Sequence, residues 1–250
     1  MFFNIIASGS KGNATIVKYK NSVLLIDMGI TLERLKEGLN EINLDVNDID
    51  GALFTHDHAD HYKGLKFLSP KKCYALKGTL PGSLYHVVNL NEPFRIKDFE
   101  IIPFETSHDA TNPCGFKLIA DDETMVYMTD TGVFLEQNIP LIKNPTYLVI
   151  ESNHDVKMLL QTSRPFDLKT RIMSDHGHLC NEDSAFASCQ IIGPNTKEII
   201  LAHLSEEANT PELALEAYRR IFNHFHINMN QFVIKCAHQW HSTLGGHDEN

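Results

Sequence analysis

The chain has 250 residues, 42% of them hydrophobic, and its 22 Lys+Arg against 32 Asp+Glu give a formal net charge of −10. That apolar content excludes wholesale disorder. No apolar run approaches the roughly 20 residues that span a bilayer, and the opening MFFNIIASGS has no basic stretch before its apolar one, so neither membrane anchor nor signal peptide is expected.

In chain order, short apolar runs rich in β-branched residues predict strands at 2–6, 15–17 and 23–26, the first two separated by SGSKGN at 8–13. A helix follows, starting at Thr31 with a stripe of Leu32, Leu35, Leu39 and Ile42. The run at 52–54 predicts a strand that leads into THDHADHYKG, and further strands are expected at 100–104, 116–119, 125–128, 147–150 and 198–201. A second helix, capped by Asn181, should bury Ala185, Phe186, Cys189 and Ile192 and stop at Gly193-Pro194. A third has Thr210 as its cap, Pro211 at its first position, and a stripe of Ala214, Ala217, Tyr218 and Ile221. Strands mixed with helices predict an α/β layered fold. No repeat or linker marks a boundary, so one domain over 1–250 is expected, in a cytoplasmic protein.

The five cysteines are odd in number, scattered and never in a CxxC pair, which argues against a disulfide framework and a Cys-based zinc finger. Histidine stands out with 14 copies, because imidazole is the commonest metal ligand. His56, His58, Asp60 and His61 fall within six residues directly after a strand. One such loop can serve two metal ions, with His56 and His58 on one side and Asp60 and His61 on the other; the adjacent Asp60 and His61 are expected to point apart. Neutral imidazoles and carboxylates without thiolate suit Zn(II), Mn(II) or Fe(II), and spacing does not choose among them.

HxHxDH followed by Gly64 resembles the signature of the metallo-β-lactamase superfamily. The resemblance implies a four-layer αβ/βα sandwich of two mixed β-sheets flanked by helices. It extends to His108 in ETSHDA, Asp130 in YMTDTG and His203 in ILAHLS. By the family pattern His56, His58 and His108 would hold one divalent metal, Asp60, His61 and His203 the second, and Asp130 would bridge them. Asp27 in LLIDMG matches a family residue that orients a ligand. The TDTG and AHLS segments depart from the β-lactamases proper and resemble the nuclease and phosphodiesterase branches.

Further stretches are similar to the YycJ/WalJ-type subgroup, single-domain members that resemble 5′-to-3′ exonucleases: SGSKGN, LLIDMG, SHDA, ESNHD, GHLCNED and AHLSEEANTPELA. Residues 71–95 depart from that pattern, as does Cys180, where the subgroup usually has Ser. The implied reaction is phosphodiester hydrolysis by a hydroxide that bridges two metals about 4 Å apart, a site to which Asp60 contributes. His178 either protonates the leaving oxygen or holds the phosphate, or it merely anchors the start of the Asn181 helix. Glu151, Asn153, His154 and Asp155 are expected to buttress the site. Ser205 in the AHLS segment is placed with these supporting residues. The SGSKGN turn either offers backbone N–H groups to a phosphate, with Ser10 and Asn13 adding hydrogen bonds, or simply joins two strands.

The main reading is therefore a nuclease acting on single-stranded DNA or RNA, with Zn or Mn as cofactor. The alternatives are a phosphodiesterase for a small cyclic or signalling nucleotide, and a metal-binding protein without turnover. Lys63, Lys66, Lys71, Lys72 and Lys77, and Lys157, Arg164, Lys169 and Arg171, are two candidate basic patches for a polyanion. No membrane partner is expected, and a homodimer is compatible with this reading.

Overall fold

Apolar runs buried along their whole length form the centres of two sheets in the computed structural model, which describes residues 1–82 and 84–247. The strands in chain order begin with β1 (Phe2–Ala7), β2 (Ala14–Tyr19), β3 (Ser22–Ile26), β4 (Gly51–Phe54), β5 (Cys73–Leu76), β6 (His86–Val88) and β7 (Phe94–Ile96). They continue with β8 (Phe99–Glu105), β9 (Cys114–Ala120), β10 (Glu123–Met128), β11 (Tyr147–Glu151), β12 (Glu198–Ala202), β13 (Val233–Cys236) and β14 (Thr243–Gly246). The helices are α1 (Leu32–Asn40), α2 (Ala59–Tyr62), α3 (Ile139–Ile142), α4 (Val156–Gln161), α5 (Phe166–Ile172), α6 (Asn181–Ile191) and α7 (Pro211–His224). One sheet runs β14-β1-β2-β3-β4-β5-β6 and the other β13-β12-β11-β10-β9-β8-β7. Among the described residues no helix is long and apolar enough to cross a membrane.

Contacts group the chain into two units. Unit 1 takes Met1–Phe104, Ala110–Thr124 and the segment from Ala237; unit 2 takes Glu105–Asp109 and Met125–Cys236. In unit 1, β1, β2 and β3 pair antiparallel, while β3 to β6 pair parallel. Leu35 and Leu39 of α1 pack into a core with Ile6, Leu25, Phe54 and Ala75. In unit 2, β10 to β13 are all parallel, and β11 and β12 are buried at every position. Continuous burial is what strands inside a parallel sheet require. Parallel pairing also collects the carboxyl ends of neighbouring strands along one edge, which is where open α/β sheets place functional side chains.

The strands at the sheet edges are β14 and β6 in one and β13 and β7 in the other, and apolar runs predict none of them. An edge strand keeps a solvent-facing side, so its sequence carries no apolar run: β13 is exposed or half-buried at Val233, Ile234 and Lys235. Both terminal helix predictions need adjustment. Cys180 rather than Asn181 caps α6, its Sγ accepting from the N–H of Asp183. Phe186 is 46% exposed, whereas Ser184 and Ser188 are buried because their hydroxyls meet the Tyr218 hydroxyl of α7 at 2.7 and 2.9 Å. The α7 start at Thr210 and Pro211 is as expected, with Phe222 in place of Ile221 on the buried face.

Candidate metal centre

In unit 1, Asp27 follows β3, and Thr55, His56 and the metal loop follow β4. Asp27 is fully buried and in the left-handed region at φ 59°, a conformation Asp tolerates better than most residues. Its Oδ1 accepts from the Thr55 N–H at 2.9 Å, and its Oδ2 accepts from the Thr55 hydroxyl at 2.9 Å and from His61 Nδ1 at 2.8 Å. The Thr55 hydroxyl spends its single proton on Asp27, so it accepts from His56 Nδ1 at 3.0 Å. This chain of donors fixes the Nδ1–H tautomer of both His56 and His61 and leaves each Nε2 as a lone pair. The His56 ring lies 4.7 Å from that of His58 and 4.0 Å from that of His61.

The segment is not extended at its end. Ala59–Tyr62 form a helical turn, so Asp60 and His61 do not point apart: Asp60 Oδ2 lies 3.7 Å from His61 Nε2. Asn13, in the turn between β1 and β2, places its Nδ2 3.0 Å from His61 Nε2. The N–H groups of Gly9, Lys11, Gly12 and Asn13 donate to Asn13 Oδ1, Gln239 Oε1, the Gly9 carbonyl and the Asp60 carbonyl. Those amides are spent inside the protein and form no phosphate cradle; Ser10 stands exposed at the tip.

In unit 2 the same logic recurs. Asp130 (φ 55°) follows β10, Glu151 ends β11, and His203 (φ 57°) follows β12. His108 donates through Nδ1 to the Gly177 carbonyl at 2.9 Å, and burial lowers its pKa against the opposing pull of Asp130. His203 and His178 both donate through Nδ1 to Glu151 Oε1, at 2.9 and 2.8 Å. Glu151 Oε2 accepts from the N–H groups of Thr131 at 2.9 Å and Leu179 at 3.2 Å. Burial pushes the Glu151 carboxyl up, but His178 and the hydrogen bonds from His178 and His203 outweigh it and hold its pKa low.

Ligand atoms of Asp130, Glu151, His178 and His203 all lie within 4.8 Å of one another. A carboxylate has about four acceptor sites, and Glu151 has filled its four, so it orients imidazoles rather than ligating. His108, His178 and His203 are thereby left presenting Nε2. Asp130 Oδ1 lies 3.4 Å from His203 Nδ1 and 4.0 Å from His108 Nε2. The donor set, imidazole Nε2 lone pairs and carboxylate oxygens with no thiolate, fits a divalent ion such as Zn(II), Mn(II) or Fe(II).

The remaining candidates lie further out. Asn153 Nδ2 donates to the His203 carbonyl at 2.9 Å and Ser205 Oγ accepts from the Ala208 N–H at 3.2 Å. His154 is buried and its pKa is pushed down to about 4 by burial, against Glu151, while its carbonyl accepts the Asn181 N–H. Asn181 exchanges amide hydrogen bonds with Asn209 and accepts from the Ser152 hydroxyl at 2.7 Å. Asp155 caps α4. The second basic patch is largely spent: Arg164 pairs with Glu207 at 2.9 Å, Arg171 with Asp109 at 2.5 Å, and Lys169 donates to two backbone carbonyls. Sequence reasoning gave no role to Thr55 or Gly177, whose contributions are a relay hydroxyl and a backbone carbonyl that no motif spells out.

A family model described as the beta-lactamase superfamily domain matches residues 24–204, which run through both units. Exodeoxyribonuclease YycJ of Bacillus anthracis is 36% identical over 227 residues, covering 86% of this chain and 86% of its own. Exodeoxyribonuclease WalJ of Streptococcus pneumoniae is 36% identical, covering 85% of this chain and 84% of its own. Among solved structures, the metallo-beta-lactamase fold protein YhfI of Bacillus subtilis superimposes with a TM-score of 0.70 at 14% identity, covering 98% of this chain and 99% of that one. The chain belongs to the metallo-β-lactamase-fold superfamily, in the group that includes the YycJ and WalJ exodeoxyribonucleases.

Proposed function

We propose that this chain is a divalent-metal-dependent phosphodiesterase that cleaves nucleic acid, an exonuclease-like enzyme. The observation that carries the reading is the 36% identity to exodeoxyribonucleases across 86% of the chain. The finer assignments follow the family's ligand order: His56, His58 and His108 for one metal, Asp60, His61 and His203 for the other, with Asp130 between them. Zn(II) or Mn(II) suits these donors, and a strand attacked from its 5′ end is the proposed substrate. Bound metals supply Lewis-acid activation of water and of the phosphoryl oxygens.

The chain's own residues supply the proton. Glu151 holds the Nδ1–H of His178, so a protonated His178 carries its second proton on Nε2, and its side chain is 19% exposed, open to a leaving oxygen. Substituting Ala for His178 should leave bound metal intact, measured by elemental analysis, while turnover of 5′-labelled single-stranded DNA with Mn(II) falls about 10²- to 10⁴-fold. Unchanged turnover removes His178 from the reaction. In the same assay, cleavage of cyclic mononucleotides but not of DNA or RNA strands overturns the nuclease reading.

A further inference from the structure

The loop between β13 and β14 carries Trp240, the chain's one tryptophan, and it is 57% exposed. A single exposed apolar residue needs no explanation by itself. This one is held in a defined place. Gln239 accepts the Lys11 N–H at 3.0 Å and donates to the Gly12 carbonyl at 3.0 Å, and the His238 carbonyl accepts the Ser8 N–H at 3.1 Å. Arg34 donates to the Trp240 carbonyl at 3.3 Å and to the Ile6 carbonyl at 3.1 Å. Its other amino group pairs with Glu37 at 3.3 Å, so Arg34 acts as a brace.

Lys11 Nζ stands over the indole, 5.2 Å from the ring centre. Lys63, the residue that closes the metal-loop helix α2, donates to the Lys11 carbonyl at 2.6 Å. The same turn that carries Lys11 also carries Asn13, whose side chain reaches His61 Nε2 and whose N–H donates to the Asp60 carbonyl at 2.8 Å. Asn13 is two positions on from Lys11, at most about 7 Å of backbone away. One turn therefore ties an exposed aromatic ring and two ammonium groups to the metal loop, all inside unit 1.

We propose that Trp240 and Lys11 form a stacking platform for the base of a nucleotide that flanks the phosphate undergoing cleavage, with Lys11 and Lys63 facing neighbouring phosphates. Every base has a π-face, so stacking tolerates any sequence, and ammonium groups follow the backbone. A base inside a duplex is already stacked on its neighbours, so the platform selects single strands. The inference rests on the nucleic-acid reading above and specifies the form of nucleic acid. It also locates the cationic surface that an acidic chain of net charge −10 needs to hold a polyanion.

The test uses the metal-loaded full chain and a cleavage-resistant phosphorothioate dT oligonucleotide. Indole fluorescence reports this loop alone, because no other tryptophan is present. Titration should give saturable quenching by the single strand and little by the matching duplex. Trp240→Ala should weaken binding of the fluorescein-labelled single strand about 5- to 100-fold by anisotropy, with Trp240→Phe recovering most of it. Lys11→Ala should flatten the dependence of log affinity on log salt by about 0.7. Unquenched indole, or a folded Trp240→Ala protein that binds the strand as the wild type does, overturns the platform even where DNA is cleaved. Quenching and a Trp240-dependent affinity without cleavage of a normal oligonucleotide support the platform and overturn the nuclease reading instead.

Discussion

Glu151 shows how one buried side chain organises two others. Its Oε1 holds the Nδ1–H of His178 and His203 while Oε2 is anchored by the Thr131 and Leu179 amides. A glutamine in its place keeps the shape but offers one accepting atom and one donating group. Either the two imidazoles or the two backbone amides then face a donor. Substituting Gln for Glu151 should therefore weaken metal binding about 10- to 100-fold, because residues that orient a ligand imidazole have effects of that size. Leaving two buried donors without an acceptor should also cost about 1–3 kcal/mol of unfolding free energy. Competition with a chelator gives the first quantity and urea unfolding the second; wild-type metal affinity in a folded variant would show that the two imidazoles need no such anchor. Asp27, Asp130 and His203 add a conformational demand, since all three sit at φ between 55° and 59°. Such backbone is tolerated where surrounding structure over-determines it, as it is around functional side chains.

At the scale of elements, the site is a product of strand ends and of the segments laced between them. After β3, the Met28 N–H donates to the His61 carbonyl at 2.7 Å and the Gly29 N–H to the Asn13 carbonyl at 2.8 Å. Gly29 is so close to the metal loop that a Cβ would lie 1.5 Å from the Asp60 carbonyl oxygen and 2.7 Å from the Asn13 nitrogen. Both neighbours are backbone, so Gly29→Ala must push α2 away; the expected cost is about 3 kcal/mol, at the upper end for overpacking, with loss of at least one bound metal. Two metals per chain in a soluble variant would show that the loop moves without consequence. Legibility in the sequence follows the same lines. Among the proposed ligands, His56 and His203 are legible as lone-pair side chains that follow an apolar run closely, at 52–54 and 198–201. The Glu151 clamp was not, because it depends on register between strands: Glu151 faces Ala202 across β11 and β12, which brings it beside His203. The edge strands lacked apolar runs, and the buried face of α6 was hidden because Ser184 and Ser188 read as polar until Tyr218 supplies their partner.

For the whole molecule, the question is whether metal makes the fold or only fills it. In small zinc domains the ligands are the core, and removing the ion unfolds the chain. Here the apolar residues that hold unit 1 together, among them Ile6, Leu25, Leu35, Leu39 and Phe54, include none of the proposed ligands. The proposed ligands stand at strand ends or in the segments that follow them, and protein groups already orient four of them: Asp27 for His61, Thr55 for His56, Gly177 for His108, Glu151 for His203. None of the five cysteines is bonded to another, so no covalent staple complicates the comparison. A chelated chain should therefore keep its far-UV circular dichroism and unfold cooperatively. Metal that binds only the folded state adds about 4 kcal/mol per site at a thousand times its dissociation constant. For a chain of this size that raises Tm by about 8–16 °C per site. Thermal scans with and without a chelator, followed by Mn(II) or Zn(II) replacement, measure the difference. Loss of secondary structure on chelation would mean that the strand ends are held by the ions rather than by the hydrogen bonds described here.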